Sequence, residues 1–254
     1  MSAVLFEKKG AAGIITINRP KANQLSLEVR DGFISSLDQC ENDSEIRVVI
    51  ITGSGEKIFC SGADLAGGFG GDEAVEFLRK WQELYNRIEG FSKPVVAAMN
   101  GHAFGGGCEL AMTCHMRIMK SGARIGLTET NLGIMPGYGG TMRLPRLIGH
   151  AKALEYILLG KEIEAAAALE LGLVNMISEG DVLADALALA EKLAARPPLA
   201  VKAILKIFAS RQCLSTDEYL KIERESLAAL FATKDTAEGI TAFMQKRPPV
   251  FIGE

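Results

Sequence analysis

Two short runs in the first hundred residues constrain this chain more than any other feature. Arg47-Val48-Val49-Ile50-Ile51-Thr52 and Pro94-Val95-Val96-Ala97-Ala98-Met99 are apolar almost throughout, and each stops at a glycine turn, Gly53-Ser54-Gly55 and Asn100-Gly101. A strand with one wet face alternates polar and apolar residues, whereas a strand without alternation is covered on both faces. Such runs suit strands inside a layered fold, covered on both faces. A third run, Ala12-Gly13-Ile14-Ile15-Thr16-Ile17, reads as a strand ended by Asn18-Arg19-Pro20, since proline donates no ladder hydrogen bond and biases its predecessor away from helix.

Helical patterns lie between these strands. Ser26 is placed to cap a helix whose apolar face uses Val29, Phe33, Leu37 and Cys40. The spacing predicts a second helix from about Asp72 to Glu89, with Val75, Leu78, Tyr85 and Ile88 on one stripe and Trp81 beside it. After about Gly140 the β signal nearly vanishes and the chain reads as Ala/Leu/Glu/Lys-rich helix. Arg196-Pro197-Pro198 is the best boundary, because the doubled proline interrupts one helical run and can open the next. The reading is α/β, with a core over residues 1–195 and a helical C-terminal region over 196–254. There is no fixed-period repeat.

Composition narrows the function. With 254 residues, 48% of them hydrophobic, the chain carries enough apolar material for a large core and is neither disordered nor collagen-like. Twenty-eight Lys and Arg against 31 Asp and Glu give a net charge of −3, which supplies no basic field for nucleic acid or an acidic membrane. No apolar run approaches the ~18–20 residues that cross a bilayer, residues 1–9 lack the regions of a signal peptide, and Phe251-Ile252-Gly253-Glu254 is no peroxisomal address. The expected location is cytoplasmic. Five cysteines are an odd number and read as free buried thiols, and the absence of C-x-x-C or H-E-x-x-H, with His102, His115 and His150 far apart, predicts no metal site. Motifs of serine hydrolases, P-loops and dinucleotide folds are also absent.

Two glycine turns invite chemistry, Gly62-Ala63-Asp64 and Gly105-Gly106-Gly107. A helix opening after glycine presents unpaired N–H groups and the positive end of its dipole, with no Cβ to block a ligand oxygen. The same glycines serve equally well as plain strand-to-helix turns, and the sequence leaves both readings open. Glu109 follows Gly106 by three residues, about one helical turn, among the small or apolar Gly107, Cys108, Leu110 and Ala111. Glu129 sits in Gly126-Leu127-Thr128-Glu129-Thr130-Asn131-Leu132-Gly133, ahead of Pro136-Gly137-Tyr138-Gly139-Gly140-Thr141. A glutamate is ordinarily a solvated surface residue, and spacing alone does not bring these two together.

The chain resembles the crotonase (enoyl-CoA hydratase/isomerase) superfamily. The resemblance rests on Gly105-Gly106-Gly107-Cys108-Glu109-Leu110-Ala111, on Cys60-Ser61-Gly62-Ala63-Asp64-Leu65 and on the segment from Glu129 to Thr141, with Asn18-Arg19-Pro20-Lys21 and Phe243-Met244-Gln245-Lys246-Arg247. Each motif is weak alone, and five in this order span nearly the whole chain. The resemblance implies a spiral of ββα units with C-terminal helices that build a homotrimer or a homohexamer of two trimers. It implies an acyl-CoA substrate whose thioester oxygen is held by the N–H groups of Ala63 and Gly106, and a 2,3 double bond hydrated by Glu109 as base and Glu129 as acid. Many relatives with other activities keep only one of the two glutamates, so isomerisation or hydration of a cyclic or dienoyl thioester is the alternative. By the same resemblance Lys21 and Ala22 lie along the CoA path, Ser61, Asp64 and Leu65 line it, Gly137 lies near the bound water or Glu109, and Lys246, lent by a neighbouring subunit, meets a phosphate. Either lysine reads otherwise as a solvated surface charge. No cofactor is implied, because the thioester is the electron sink. Some relatives are reported to bind RNA, but the net charge and the lack of a clustered Lys/Arg stripe argue against it here. Tyr138, His102, Phe104 and Gln24 depart from the usual pattern, and with the glycine-rich stretch 66–71 they leave the acyl pocket open in size.

Overall fold

A computed structural model describes residues 2–19, 21–64, 71–210 and 214–254, without the side chains of 71 and 72. In chain order the first half contains β1 (Val4–Lys9), β2 (Ala12–Ile17), α1 (Leu27–Asn42), β3 (Val48–Gly53), β4 (Ile58–Cys60), α2 (Gly71–Glu89), β5 (Val95–Met99), β6 (His102–Phe104), α3 (Gly106–Thr113), β7 (Met116–Lys120) and β8 (Arg124–Gly126). A 3-10 turn over Glu129–Leu132 follows, then α4 (Gly140–Ile148), α5 (His150–Leu158), β9 (Ile163–Glu164), α6 (Ala165–Glu170), β10 (Met176–Ser178) and α7 (Val182–Ala194). Helices α8 (Pro198–Ser210), α9 (Thr216–Leu230) and α10 (Lys234–Met244) complete the chain.

Two sheets result. The larger runs β1-β2-β3-β5-β7-β10 and is parallel apart from the β1–β2 hairpin; the smaller runs β4-β6-β8-β9 and is parallel apart from β9. Each of β3, β5 and β7 is followed by a three-residue strand of the smaller sheet and then by a helix or helical turn, so the chain advances by ββα turns. The non-alternating strands are buried as their composition demands. Ile15, Ile17, Val49, Ile51, Ala97 and Met99 face the core shared with α1, α2 and α3, while Ile14, Val48, Ile50, Val96 and Ala98 pack against Val182, Ala186 and Ala190 of α7. In-register pairing of Ile14 with Ile50 and of Ile50 with Val96 keeps each set on its own face.

The Asn100-Gly101 turn locks one sheet onto the other. Asn100 Oδ1 accepts from the Gly53 N–H at 3.0 Å and its Nδ2 donates to the Gly55 carbonyl at 2.8 Å. A Cβ on Gly101 would stand 2.1 Å from the Lys57 carbonyl, so only glycine lets the strands approach this closely.

The Ser26 cap and the buried face Val29-Phe33-Leu37-Cys40 of α1 are as predicted. The stripe of α2 differs. Trp81, Leu84, Tyr85 and Ile88 form the buried row at i, i+3, i+4 and i+7, while Val75, a turn and a half earlier, is 66% exposed. The expectation of almost pure helix after Gly140 also needs correction, because β9 joins β8 and β10 extends the larger sheet beside β7. Strands of two and three residues are too short to display a period of two. Cys40, Cys60, Cys108 and Cys114 are free and buried, and Cys213 lies outside the described residues. Among the described residues no helix is long and apolar enough to cross a membrane.

Candidate active site

The spiral sets the two glycine turns side by side. An isolated parallel bridge joins Leu25 to Ala63: the Leu25 N–H donates to the Gly62 carbonyl at 2.9 Å and its carbonyl accepts from the Asp64 N–H at 3.0 Å. These two bonds flank Ala63 and leave its N–H with no protein acceptor among the described residues. Gly62 takes φ +99°, and a Cβ there would stand 3.0 Å from the Phe104 carbonyl and 3.2 Å from the Gly106 nitrogen. Gly106 opens α3, so its N–H belongs to the unpaired first turn. Tyr85 supports this turn from α2 by donating its hydroxyl to the Gly106 carbonyl at 2.7 Å.

Ala63 and Gly106 line a cavity of about 680 Å³, together with Ser61, Glu109, Glu129 and Gly137. One first turn of helix thus supplies both an amide and, three residues on, a carboxylate. Glu109 is 1% exposed, and its Oε1 accepts from the backbone N–H groups of Tyr138 at 2.8 Å and Gly140 at 2.7 Å. Glu129, at the start of the 3-10 turn, is 9% exposed, and its carboxyl lies over Gly105, where a Cβ would stand 3.3 Å from Oε1. Its Oε2 is buried and has no hydrogen-bond partner among the described residues. Burial pushes the Glu109 carboxyl up to about 7, with the Glu129 charge adding to the rise; the amides of Gly140 and Tyr138 and then the Arg143 charge pull against it. Burial also raises Glu129, opposed by its own backbone N–H.

The remaining wall is mostly apolar. Phe77 and Leu78 of α2 face Leu132, Ile134 and Met135 across the cavity, and Gln82 donates to the Gly137 carbonyl at 2.8 Å. Tyr138 is buried against Trp81 and Tyr85, with ring centroids at 5.6 and 5.5 Å. Two amides without acceptors among the described residues and two buried carboxyls on one mostly apolar cavity can hold a developing oxyanion and move protons on adjoining atoms.

A sequence model described as enoyl-CoA hydratase/isomerase matches residues 7–254. The chain belongs to the enoyl-CoA hydratase/isomerase family. A protein named short-chain-enoyl-CoA hydratase from Clostridium acetobutylicum is 39% identical over 97% of this chain and 96% of its own length. One named crotonyl-CoA hydratase from Syntrophomonas wolfei is 40% identical, with 99% and 98% covered. The crystal structure of an enoyl-CoA hydratase from Bacillus anthracis superposes with a TM-score of 0.95 at 37% identity, covering 99% of this chain and all of that one.

The other residues that the family resemblance implicates are spread more widely. Ala22 accepts from the Ser61 N–H at 3.0 Å and Asp64 pairs with Arg19 at 3.0 Å, which places this edge beside the Ala63 bridge. Lys21 is exposed in the left-handed region at φ 87°. Lys246 is also exposed and left-handed, at φ 55°, just past α10; it does not line the cavity of its own chain. Leu65 lies outside the described residues. Sequence reasoning missed Gln82, gave Leu78 to the core rather than the cavity, and passed over Arg143, although a lone charge between Met142 and Leu144 was a usable signal.

Proposed function

We propose that the chain is an enoyl-CoA hydratase in which Ala63 and Gly106 donate their N–H groups to the thioester oxygen while Glu109 and Glu129 act on one water. Protonation next to a thioester passes negative charge onto that oxygen, and preset amides stabilise it without reorienting; one such donor is worth about 10²–10³ in rate. Hydration needs one carboxylate to deprotonate water for attack at C3 and one acid to protonate C2. Burial raises both carboxyls, so each can hold a proton at a higher pH than a solvated glutamate. The two amides on Glu109 Oε1 favour the carboxylate there, and the unpartnered Oε2 of Glu129 accommodates the proton. Deeper burial at Glu109 acts in the opposite sense. The hydrogen bonds decide the assignment in our reading, because they discriminate between charged and neutral forms whereas 1% and 9% exposure barely differ.

The observation that carries this reading is that both glutamates and the two residues whose amides have no acceptor among the described residues line one cavity. Serine 61, Asp64, Leu65, Lys21 and Ala22 would line the CoA path, Gly137 would sit near the water, and no cofactor is needed. The reading places the core in residues 1–195 and a self-association region in 196–254. Helix α9 buries none of its residues, and Phe231 after it and Phe243 and Met244 at the end of α10 are largely exposed, which suits a trimer or a pair of trimers in which Lys246 reaches a neighbour's CoA. A cytoplasmic enzyme is the consistent setting. Mixing the protein with a short 2-enoyl-CoA tests the reaction: the conjugated enoyl-thioester absorbance should fall and the product gain the mass of water. Glu109→Gln and Glu129→Gln should each nearly abolish this, and turnover that survives both changes rejects the mechanism.

A further inference from the structure

The two amides that grip Glu109 belong to residues 138–140, a two-residue bend at Tyr138 and Gly139 that runs into Gly140, the first residue of α4. The Gln82 bond to the Gly137 carbonyl and the packing of the Tyr138 ring steady one side of it, and one further side chain grips its backbone from α4. Arg143, on the first turn of α4, is 3% exposed and donates Nη1 to the Tyr138 carbonyl at 2.8 Å. Its remaining nitrogens reach across to the end of α2, with Nε and Nη2 on Glu89 Oε2 at 2.9 and 2.7 Å and Nη2 on Asn86 Oδ1 at 2.8 Å. Gly139 is part of the device: it sits at φ +101°, and a Cβ there would stand 2.3 Å from Nη1. The guanidinium therefore clamps the same peptide unit whose neighbouring N–H groups hold the carboxylate.

We propose that Arg143 is a positioning residue for the hydration: its planar fork, anchored on Glu89 and Asn86, fixes the 138–140 turn and so sets the direction in which Glu109 presents its free oxygen to the cavity. The proposal rests on the reading of Glu109 as the base. Arginine suits the task because its donors are coplanar and rigidly spaced, so a carbonyl on one edge and a carboxylate on the other are held in a single plane. Lysine offers the charge without that geometry.

Arg143 also acts through its field. The groups facing Glu109 are Glu129 from the 3-10 turn, Tyr138 from the clamped turn, Tyr85 from α2, Cys108 from its own helix and Arg143 from α4. Burial pushes the two tyrosines and the thiol up, so they stay neutral near pH 7. Arg143 and, once it has lost its proton, Glu129 are then the charges that count, with opposite signs. Removing Arg143 removes the cation that favours the Glu109 carboxylate, so the proton is held to higher pH.

The test compares Arg143→Met and Arg143→Lys with the wild type by steady-state hydration of a short 2-enoyl-CoA across pH 5–9, on protein whose fold is verified by near-UV circular dichroism. Arg143→Met is expected to lower kcat by up to about 100-fold with little change in KM, the size of loss that a misplacement near 1 Å can produce. The acidic limb of its kcat profile should move to higher pH. Arg143→Lys should lower kcat while leaving that limb at the wild-type position. A wild-type kcat in Arg143→Met, or a loss with the limb unmoved, overturns the proposal, since a merely structural role does not shift a titration. Should Arg143→Met not fold, Arg143→Lys decides alone: a fall in kcat at unchanged KM upholds the proposal and a wild-type kcat overturns it. A wild type with no hydration activity would instead reject the hydratase reading. In that event a crystal structure of either variant still tests the placement, by whether Glu109 keeps its wild-type direction.

Discussion

Glu109→Gln should make the protein more stable while removing its activity, and the gain should depend on pH in a defined sense. The buried carboxyl is pushed from an ordinary 4.5 to about 7, chiefly by desolvation. Between these values the native state holds a proton that the unfolded chain has released, so stability falls as pH rises through this window. Above it, the cost of keeping the charge buried is on the order of 3 kcal/mol. Glutamine keeps an oxygen for the Tyr138 and Gly140 amides and carries no charge. Below about pH 4.5 the two proteins should therefore unfold together, and the variant should pull ahead between pH 5 and 7. By pH 8 the advantage corresponds to roughly 6–12 °C in melting temperature for a chain of this size. Trp81, the sole tryptophan and fully buried beside Tyr138, reports unfolding by fluorescence in thermal and urea series at each pH. A variant no more stable than wild type at pH 8, or a difference that stays constant from pH 5 to 8, would show that burial does not burden this carboxylate as argued.

Three further outcomes follow from the geometry. Gly62→Ala forces a side chain into φ +99° and wedges it between the Phe104 carbonyl and the Gly106 amide; it should cost about 1–3 kcal/mol in urea unfolding and lower kcat by on the order of 10². Asn100→Ala strips the partners from the Gly53 N–H and Gly55 carbonyl and should destabilise by about 1–3 kcal/mol, with chemistry in the folded fraction largely retained. Cys40, Cys60, Cys108 and Cys114 should resist a thiol reagent in native buffer and react once the chain is unfolded in urea, since all four are buried and burial holds the Cys60 thiol up at about 12. Rapid labelling of all of them in native protein would contradict the core as described.

What the sequence disclosed and what it withheld divide along physical lines. Non-alternating runs such as Val48-Val49-Ile50-Ile51 announced a strand buried on both faces, and the structure spends those faces on α7 and on the inner core. The capped helix after Ser26 was legible because its signal is local. The strands β4, β6, β8 and β10 were not, since three residues carry no periodicity and their pairing is decided by distant partners. At the site, the glycine turns and both glutamates were visible as motifs, and Glu109 stood out by its apolar neighbours. Which groups would hold Glu109 was invisible, because Tyr138 and Gly140 act through backbone N–H groups that no side-chain pattern encodes. Val75 failed for a related reason: helical phase gives a direction, and only the surrounding chain decides whether anything lies in that direction.

The ββα advance distributes the working parts over separate turns of chain: one amide after β4, the second amide and Glu109 after β6, and Glu129 after β8. Each piece hangs from its own rung of the ladder, and the rungs are pinned by main-chain pairing rather than by the side chains that project from their ends. A rung can therefore exchange its acid for another group without disturbing the alignment of its neighbours. Such a frame behaves like a tool holder, in which the clamp stays put while the bit at its tip is swapped.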